Sequence, residues 1–120
     1  GEVTIYNSSA YDNGRNYSFS NTNPLDKLTI KNSNILGDVG SINATSLDVT
    51  NNSWMEGFIT TYEDFESINY DELTGPRKAD GSLPDVSFFH LVSGSDLIDK
   101  GVDVGLSFKG SSPDLGAFEF

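Results

Sequence analysis

The chain has no cysteine among its 120 residues, so it can form no disulfide, no thiolate metal site and no thiol nucleophile. Basic residues are also few: seven Lys and Arg stand against 18 Asp and Glu, for a formal charge of −11. Because phosphate contacts need clustered Lys and Arg, this balance argues against nucleic acids and anionic membranes as partners. No run approaches the roughly 18 apolar residues of a membrane span, and no signal peptide opens the chain.

Small polar residues are abundant instead. The sequence contains 11 Asn, 16 Ser, 8 Thr and 12 Gly, which favour turns or strands and are mediocre in helix interiors. Eight Phe, five Tyr and one Trp supply the large side chains of a core, and the length suits one domain. This composition predicts an all-β chain with many turns.

A short pattern recurs three times, as Val3–Asn7, Leu28–Asn32 and Leu47–Asn51. Each block alternates apolar and polar residues with a period of two, which is typical of a half-buried strand ending in a turn. The three asparagines are 25 and 19 residues apart, and repeats of this length indicate a solenoid. Asparagine tolerates left-handed backbone, and its amide can bond neighbouring groups. Asn7, Asn32 and Asn51 are therefore predicted to stack as a hydrogen-bonded row at one corner of the coils.

Shorter strand candidates and glycine-containing turns separate these blocks, giving three strands per coil. The predicted fold is all-β: a right-handed parallel β-helix of about two coils over residues 1–55. Residues 56–120 are predicted to form an excursion and a C-terminal cap with one short helix near Tyr62, packed on the same core as one structural domain. A β-sandwich is the alternative, because short strands at this spacing fit it too.

The segment from Ser93 to the end punctuates its apolar patches with Asp and Gly. Since aspartates accept backbone N–H groups at tight turns, Asp99, Asp103 and Asp114 are predicted to form a structural cap that seals the coils. A calcium site at Asp96, Asp99 and Asp103 is the alternative. These residues lack the regular oxygen spacing and closing Glu of an EF-hand loop, so no metal ligand is assigned.

Other candidate residues are few. Arg15, Lys27 and Lys31 are the only bases in the coil half, and a row of them would bind uronate carboxylates. Arg15 and Lys31 are the substrate-binding candidates, although solvated side chains are the simpler interpretation. The single histidine, His90, lies in an apolar run and is interpreted as structural. No catalytic residue is assigned.

Four segments together resemble the C-terminal part of the pectate lyases of polysaccharide lyase family 9: Tyr11–Tyr17, Asn52–Trp54, Ala79–Asp85 and Leu97–Gly105. The resemblance spans most of the chain. It implies a β-helical enzyme that cleaves polygalacturonate by β-elimination, with Ca²⁺ held by aspartates and a lysine acting as base. In the family these residues precede the segment that begins here at Tyr11. No catalytic residue and no cofactor are therefore expected in this chain, and Ca²⁺ is expected in the parent enzyme.

The expected function is that of a C-terminal structural and capping fragment, inactive alone, of a secreted pectate lyase or glycoside hydrolase. A stand-alone carbohydrate-binding or adhesive β-helix module is the alternative. The predicted partners are upstream coils of the same protein and, for the parent, a pectin-like polysaccharide. The predicted location is secreted, periplasmic or at the cell surface. An open first coil with unpaired strands also predicts end-to-end self-association.

Overall fold

The computed structural model describes all 120 residues and contains seven short strands and two 3₁₀-helices. The strands are β1 (Glu2–Tyr6), β2 (Ser9–Tyr11), β3 (Tyr17–Ser18), β4 (Leu25–Lys31), β5 (Asn34–Leu36), β6 (Gly40–Ser41) and β7 (Ala44–Thr50). The 3₁₀-helices cover Tyr62–Asp64 and Tyr70–Thr74. No helix is long and apolar enough to span a membrane.

The strands form three parallel sheets, β1–β4–β7, β2–β5 and β3–β6, and each sheet takes one strand from each of the first two coils. This arrangement makes two complete coils and the first strand of a third. The predicted parallel β-helix is therefore confirmed. A β-sandwich is excluded, because its sheets are antiparallel and every strand pair here is parallel.

The coil interior is built from stacked rows of apolar side chains. Val3, Leu28 and Leu47 share one row, because the parallel register pairs Val3 with Leu28 and Leu28 with Leu47. Leu28 in the middle strand is fully buried, which stabilises the fold by about 2–3 kcal/mol. Leu47 in the same row is 52% exposed, since no strand follows β7 in the sheet. The β1–β4–β7 sheet therefore ends in a free strand on each side.

A second hydrophobic cluster lies outside the coils. Residues 56–120 contribute its buried members, Phe65, Phe89, Leu91, Leu97 and Leu115. This outer cluster packs on Leu36 of β5, whereas Ile35 belongs to the inner cluster, since successive side chains of a strand point to opposite faces. The sequence predicts one shared core. The structure has two clusters, with the β2–β5 sheet as their common wall.

The predicted single short helix is replaced by two 3₁₀-helices. The first begins after Thr61, whose Oγ1 accepts a hydrogen bond from Glu63 N (3.2 Å), while Asp64 Oδ2 accepts one from Thr61 N (2.8 Å). It ends at once because Phe65 is extended and pairs with Leu91 in an isolated β-bridge. The second helix lies in the segment that the sequence predicts to be an irregular excursion. The first helix is therefore short because Phe65, the residue that follows it, pairs with a distant part of the chain.

Candidate functional site

The structure does not bring the three bases of the coil half into one row. Lys31, at the end of β4, forms an ion pair with Asp48, with Nζ and Oδ2 3.0 Å apart. Arg15 precedes β3 in a different sheet, is exposed and forms no ion pair. Of the two substrate-binding candidates, only Arg15 therefore offers a free cation.

Asn7, Asn32 and Asn51 occupy the same corner of successive coils, each with left-handed backbone (φ 46°, 56° and 55°). The amide of the fully buried Asn32 bonds the backbone of Val102 in both directions: Nδ2 donates to Val102 O (2.7 Å) and Oδ1 accepts from Val102 N (2.8 Å). Asn51 Nδ2 donates to Lys100 O (3.1 Å). None of these bonds joins one asparagine to another: Asn32 and Asn51 bind the C-terminal segment instead of forming an amide ladder.

A second polar row runs beside the asparagines. Ser8 and Ser33 hydroxyl oxygens lie 3.0 Å apart, and Ser33 N donates to Asn52 Oδ1 (3.0 Å). Asn52 Nδ2 in turn donates to Ile30 O (2.9 Å), and both Ser33 and Asn52 are almost fully buried. These side chains satisfy backbone groups where the strand ladder ends. The sequence contains a signal for this second row, because a small polar residue directly follows each left-handed asparagine.

The C-terminal segment, residues 97–120, lies along this corner and is called here the C-terminal strap. It contacts the third coil through Asn51 and the second through Asn32 and Asn34, whose Nδ2 donates to Leu115 O (2.7 Å). It reaches the first coil where Ala117 N donates to Ser9 Oγ (2.9 Å). Between these contacts a Cβ on Gly116 would lie 2.2 Å from Asn34 Nδ2, so glycine permits the close approach.

Three aspartates fix the turns of the strap. The buried Asp114 accepts hydrogen bonds from Asp99 N (2.8 Å) and Phe120 N (2.6 Å), one on each oxygen. Asp99 Oδ1 accepts one from Ser111 N (2.9 Å), and Asp103 Oδ1 accepts one from Gly105 N (2.8 Å). The strap that they hold contacts all three coils.

These aspartates do not fit a calcium site. Ca²⁺ takes six to eight oxygen ligands, whereas the oxygens of Asp99, Asp103 and Asp114 named above already face backbone N–H donors. Asp96 Oδ2 likewise accepts from Ile59 N (3.1 Å). No group of three or more His, Cys, Asp or Glu side chains is placed to hold a metal ion.

A cleft of about 490 Å³ opens beside β2 and is called here the β2 cleft. It is lined by residues 9–13 and by Tyr70, Leu73 and Phe88. The Tyr11 ring centroid lies 6.5 Å from that of Tyr70 and 5.9 Å from that of Phe88. Tyr70 and Leu73 are 59% and 51% exposed. Sequence reasoning missed this cleft, because its walls come from the first coil and from a distant excursion.

Glu72 holds the walls of the β2 cleft in place. Its Oε1 accepts a hydrogen bond from Ser67 Oγ, and its Oε2 accepts from Ser87 N (2.9 Å) and Phe88 N (3.1 Å). The Ser67 hydroxyl and then the Ser87 N–H hold the pKa of the Glu72 carboxyl below its ordinary 4.5. The carboxylate thus ties the second 3₁₀-helix to the chain around Phe88.

Comparisons with known proteins identify relatives of the whole chain. No protein-family model matches it. It is 39% identical over 121 residues to Pectate lyase L of Dickeya chrysanthemi and equally to Pectate lyase L of Dickeya dadantii. Each alignment covers 99% of this chain and 28% of the relative. The crystal structure of pectate lyase Pel9A superposes with a TM-score of 0.85 and 35% identity, over 99% of this chain and 30% of that one.

These likenesses confirm the resemblance that the sequence motifs indicated. The match to Pel9A covers the coils, the excursion and the strap alike, since 99% of this chain is superposed. The chain spans less than a third of the length of the relatives it matches. It corresponds to a segment of these proteins, consistent with a C-terminal part.

We predict that Asn32→Ala lowers the free energy of unfolding by about 3 kcal/mol. The change removes both hydrogen bonds to Val102, at about 1 kcal/mol each. It also replaces an asparagine, which tolerates the left-handed region, by an alanine, which does not, at a further cost of about 1 kcal/mol. Urea unfolding followed by circular dichroism measures it.

Asn32→Gly is the matched control, because glycine loses the same hydrogen bonds without the backbone strain. It should cost about 1 kcal/mol less than the alanine variant. Asn13→Ala, at an exposed turn, should change stability by less than about 0.5 kcal/mol. An Asn32→Ala variant as stable as the parent chain would contradict the role of this residue.

A second prediction concerns acid. Because the folded-state pKa of Glu72 is lowered, its stabilising contribution is present above the ordinary pKa of 4.5 and is lost as the pH falls through the lowered value. Glu72→Gln should therefore be less stable than the parent chain at pH 7, and the difference should shrink as the pH falls below 4.5. Urea midpoints over a series of pH values measure this. Glu56→Gln, an exposed control, should follow the parent chain throughout; a Glu72→Gln gap that is unchanged by pH would exclude the linkage.

Proposed function

We propose that this chain, a homologue of part of the pectate lyases, is the C-terminal structural part of a secreted polysaccharide-degrading enzyme. The longer protein cleaves polygalacturonate by Ca²⁺-dependent β-elimination, and this segment contributes its last coils and the strap that holds them together. The observation that carries the proposal is the coverage of the match, 99% of this chain against 28% of each pectate lyase.

The residues of this chain agree with a structural role, in which catalysis belongs to another part of the longer protein. Bound Ca²⁺ would neutralise the uronate carboxylate and acidify the proton on the adjacent carbon. The strap aspartates do not fit such a site, because backbone N–H groups occupy the oxygens described above. The net charge of −11 would also repel a polyuronate chain. This segment therefore supplies scaffold and leaves the chemistry to preceding coils.

The location proposed for the longer protein is secreted, periplasmic or at the cell surface. A polysaccharide of this class is a large polyanion that does not cross a membrane, so the enzyme must meet it outside the cytoplasm. The abundance of small polar side chains and the excess of acids also suit a surface that stays in solution.

A stand-alone carbohydrate-binding or adhesive module is the second candidate. The β2 cleft favours it, because Tyr70 exposes the flat apolar face that sugar rings stack on and Asn13 supplies a polar group at the same cleft. The first function predicts no tight glycan binding by this chain, whereas the second requires it.

The test uses the 120-residue chain with polygalacturonate and with neutral pectin oligosaccharides, in the presence of Ca²⁺. We expect no unsaturated product by ultraviolet absorbance and no binding by calorimetry. Unsaturated product would contradict a purely structural role. Tight binding would favour the module, and Arg15→Ala would then show whether the exposed guanidinium carries it, with Lys31→Ala as the comparison at a paired base.

Self-association is a further prediction. The β1 and β7 strands each pair only with β4, so both edges of the sheet are free, and unpaired edges template pairing with another chain. Light scattering should show a mass that rises with concentration. Leu47→Lys, which places a charge on the β7 edge, should lower that association. A strictly monodisperse monomer at high concentration would count against the prediction.

A further inference from the structure

One asparagine of the chain is followed by glycine, in the pair Asn13–Gly14. The pair lies in the turn of residues 12–16, which joins β2 to β3. This turn has five residues, whereas the equivalent turn of the second coil, residues 37–39, has three. The register of the flanking strands leaves the two extra residues without partners in the sheets. Asn13 and Gly14 are both exposed to solvent.

The backbone nitrogen of Gly14 is free to react with the side chain that precedes it. This nitrogen donates no hydrogen bond, and a Cβ on Gly14 would meet no atom within 4 Å. Glycine also has no side chain that would shield the nitrogen. The Asn13 amide is held only by the bond from its Nδ2 to Asn16 Oδ1 (3.1 Å), which is exposed to water. An exposed bond of this kind restrains a side chain weakly, so Asn13 Cγ can approach the Gly14 nitrogen.

Other asparagines of the chain differ from Asn13 in exposure or in the residue that follows. Asn32 and Asn52 are fully buried, and each bonds other groups through both the oxygen and the nitrogen of its amide. Asn23 is exposed like Asn13, but Pro24 follows it, and proline has no backbone N–H. Exposure, a free amide and an unhindered backbone nitrogen therefore coincide at Asn13.

We propose that Asn13 is a site of spontaneous deamidation. The Gly14 nitrogen attacks Asn13 Cγ, so a new C–N bond forms and the bond from Cγ to Nδ2 breaks. The amide nitrogen leaves as ammonia and takes the proton that the Gly14 nitrogen loses. Water then opens the resulting succinimide at either carbonyl, which gives aspartate or isoaspartate. Water is consumed, ammonia is released and nothing is oxidised, and the inference does not depend on the proposed function.

The modification changes the charge and the backbone of this turn. It adds one negative charge next to Asp12, at the β2 cleft, and it removes the N–H donor that bonds Asn16. Isoaspartate also lengthens the main chain by one carbon. Both ends of the turn are fixed to the second coil, because Asp12 N donates to Leu36 O (3.3 Å) and Asn16 N donates to Asp38 O (3.0 Å). The change is therefore confined to the turn.

The test incubates the 120-residue chain at mildly alkaline pH and follows it by ion exchange, mass spectrometry and peptide mapping. We expect a more acidic form, heavier by about 1 Da, whose change maps to Asn13. Isoaspartate methyltransferase should label the same peptide. Asn23 should stay intact, because it is equally exposed but lacks a following N–H. An unchanged mass at Asn13, or a reaction at Asn23 that is as fast, would overturn the inference.

Three variants complete the assignment. Asn13→Gln should abolish the acidic form, because glutamine would have to close a larger ring. Asn13→Asp supplies the elution position of the product, and Asn23→Gln is the matched control that should react like the parent chain. An acidic form that persists in Asn13→Gln would contradict the assignment.

The same incubation in urea tests the part of the inference that depends on the fold. Unfolding exposes Asn32 and Asn52, so deamidation at these residues should appear in urea and be absent from the folded chain. The rate at Asn13 should differ by less than about tenfold between the two conditions, because the folded chain leaves this turn open. Protection of Asn13 by more than about tenfold in the folded chain would overturn the inference.

Discussion

The structure depends on the pairing of Asn32 with the backbone of Val102. The left-handed turn at this asparagine ends β4 and starts β5, so it sets the corner between two sheets. The same side chain then donates to and accepts from Val102, and the backbone oxygen of Asn32 accepts from Gly116 N (2.8 Å). One residue thereby shapes a coil and anchors the strap at two points. The strap contacts all three coils, so it ties them together by hydrogen bonds beyond those of the strand ladders.

The outer hydrophobic cluster shows what the second half of the chain contributes to the coils. A β2–β5 sheet with three residues in each strand buries little by itself, and its outer face carries Tyr11 and Leu36. Residues 56–120 cover that face with Phe65 and Phe89, whose rings stack 4.1 Å apart. The sheet is thus packed on both faces, as parallel sheets generally are. Coils and excursion stabilise each other although their clusters are separate.

Carboxylates in this chain serve mainly as acceptors for backbone N–H groups. Asp64 caps a 3₁₀-helix, Asp99 and Asp114 hold the strap, and Glu72 holds the walls of the β2 cleft. Carboxylates are common metal ligands, but the oxygens named here already accept hydrogen bonds from backbone N–H groups. The excess of acids therefore reflects turn architecture and solvation in this chain.

The sequence by itself determined the strand blocks, the parallel β-helix and the asparagine corner. Each depends on local chemistry: a period of two in Val3–Asn7 and its repeats, and the tolerance of asparagine for left-handed backbone. Only the tertiary structure decided what the corner binds, how the clusters divide and where the β2 cleft opens. Asn32 and Val102 are 70 residues apart in the sequence. Tyr11 and Tyr70, whose rings contact each other, are likewise distant in the sequence. No periodicity encodes such pairs, because they form only when coils and excursion pack together. The helical character around Tyr62 was overridden for the same reason, since Phe65 gains more by pairing with Leu91 and entering the outer cluster than by extending a turn.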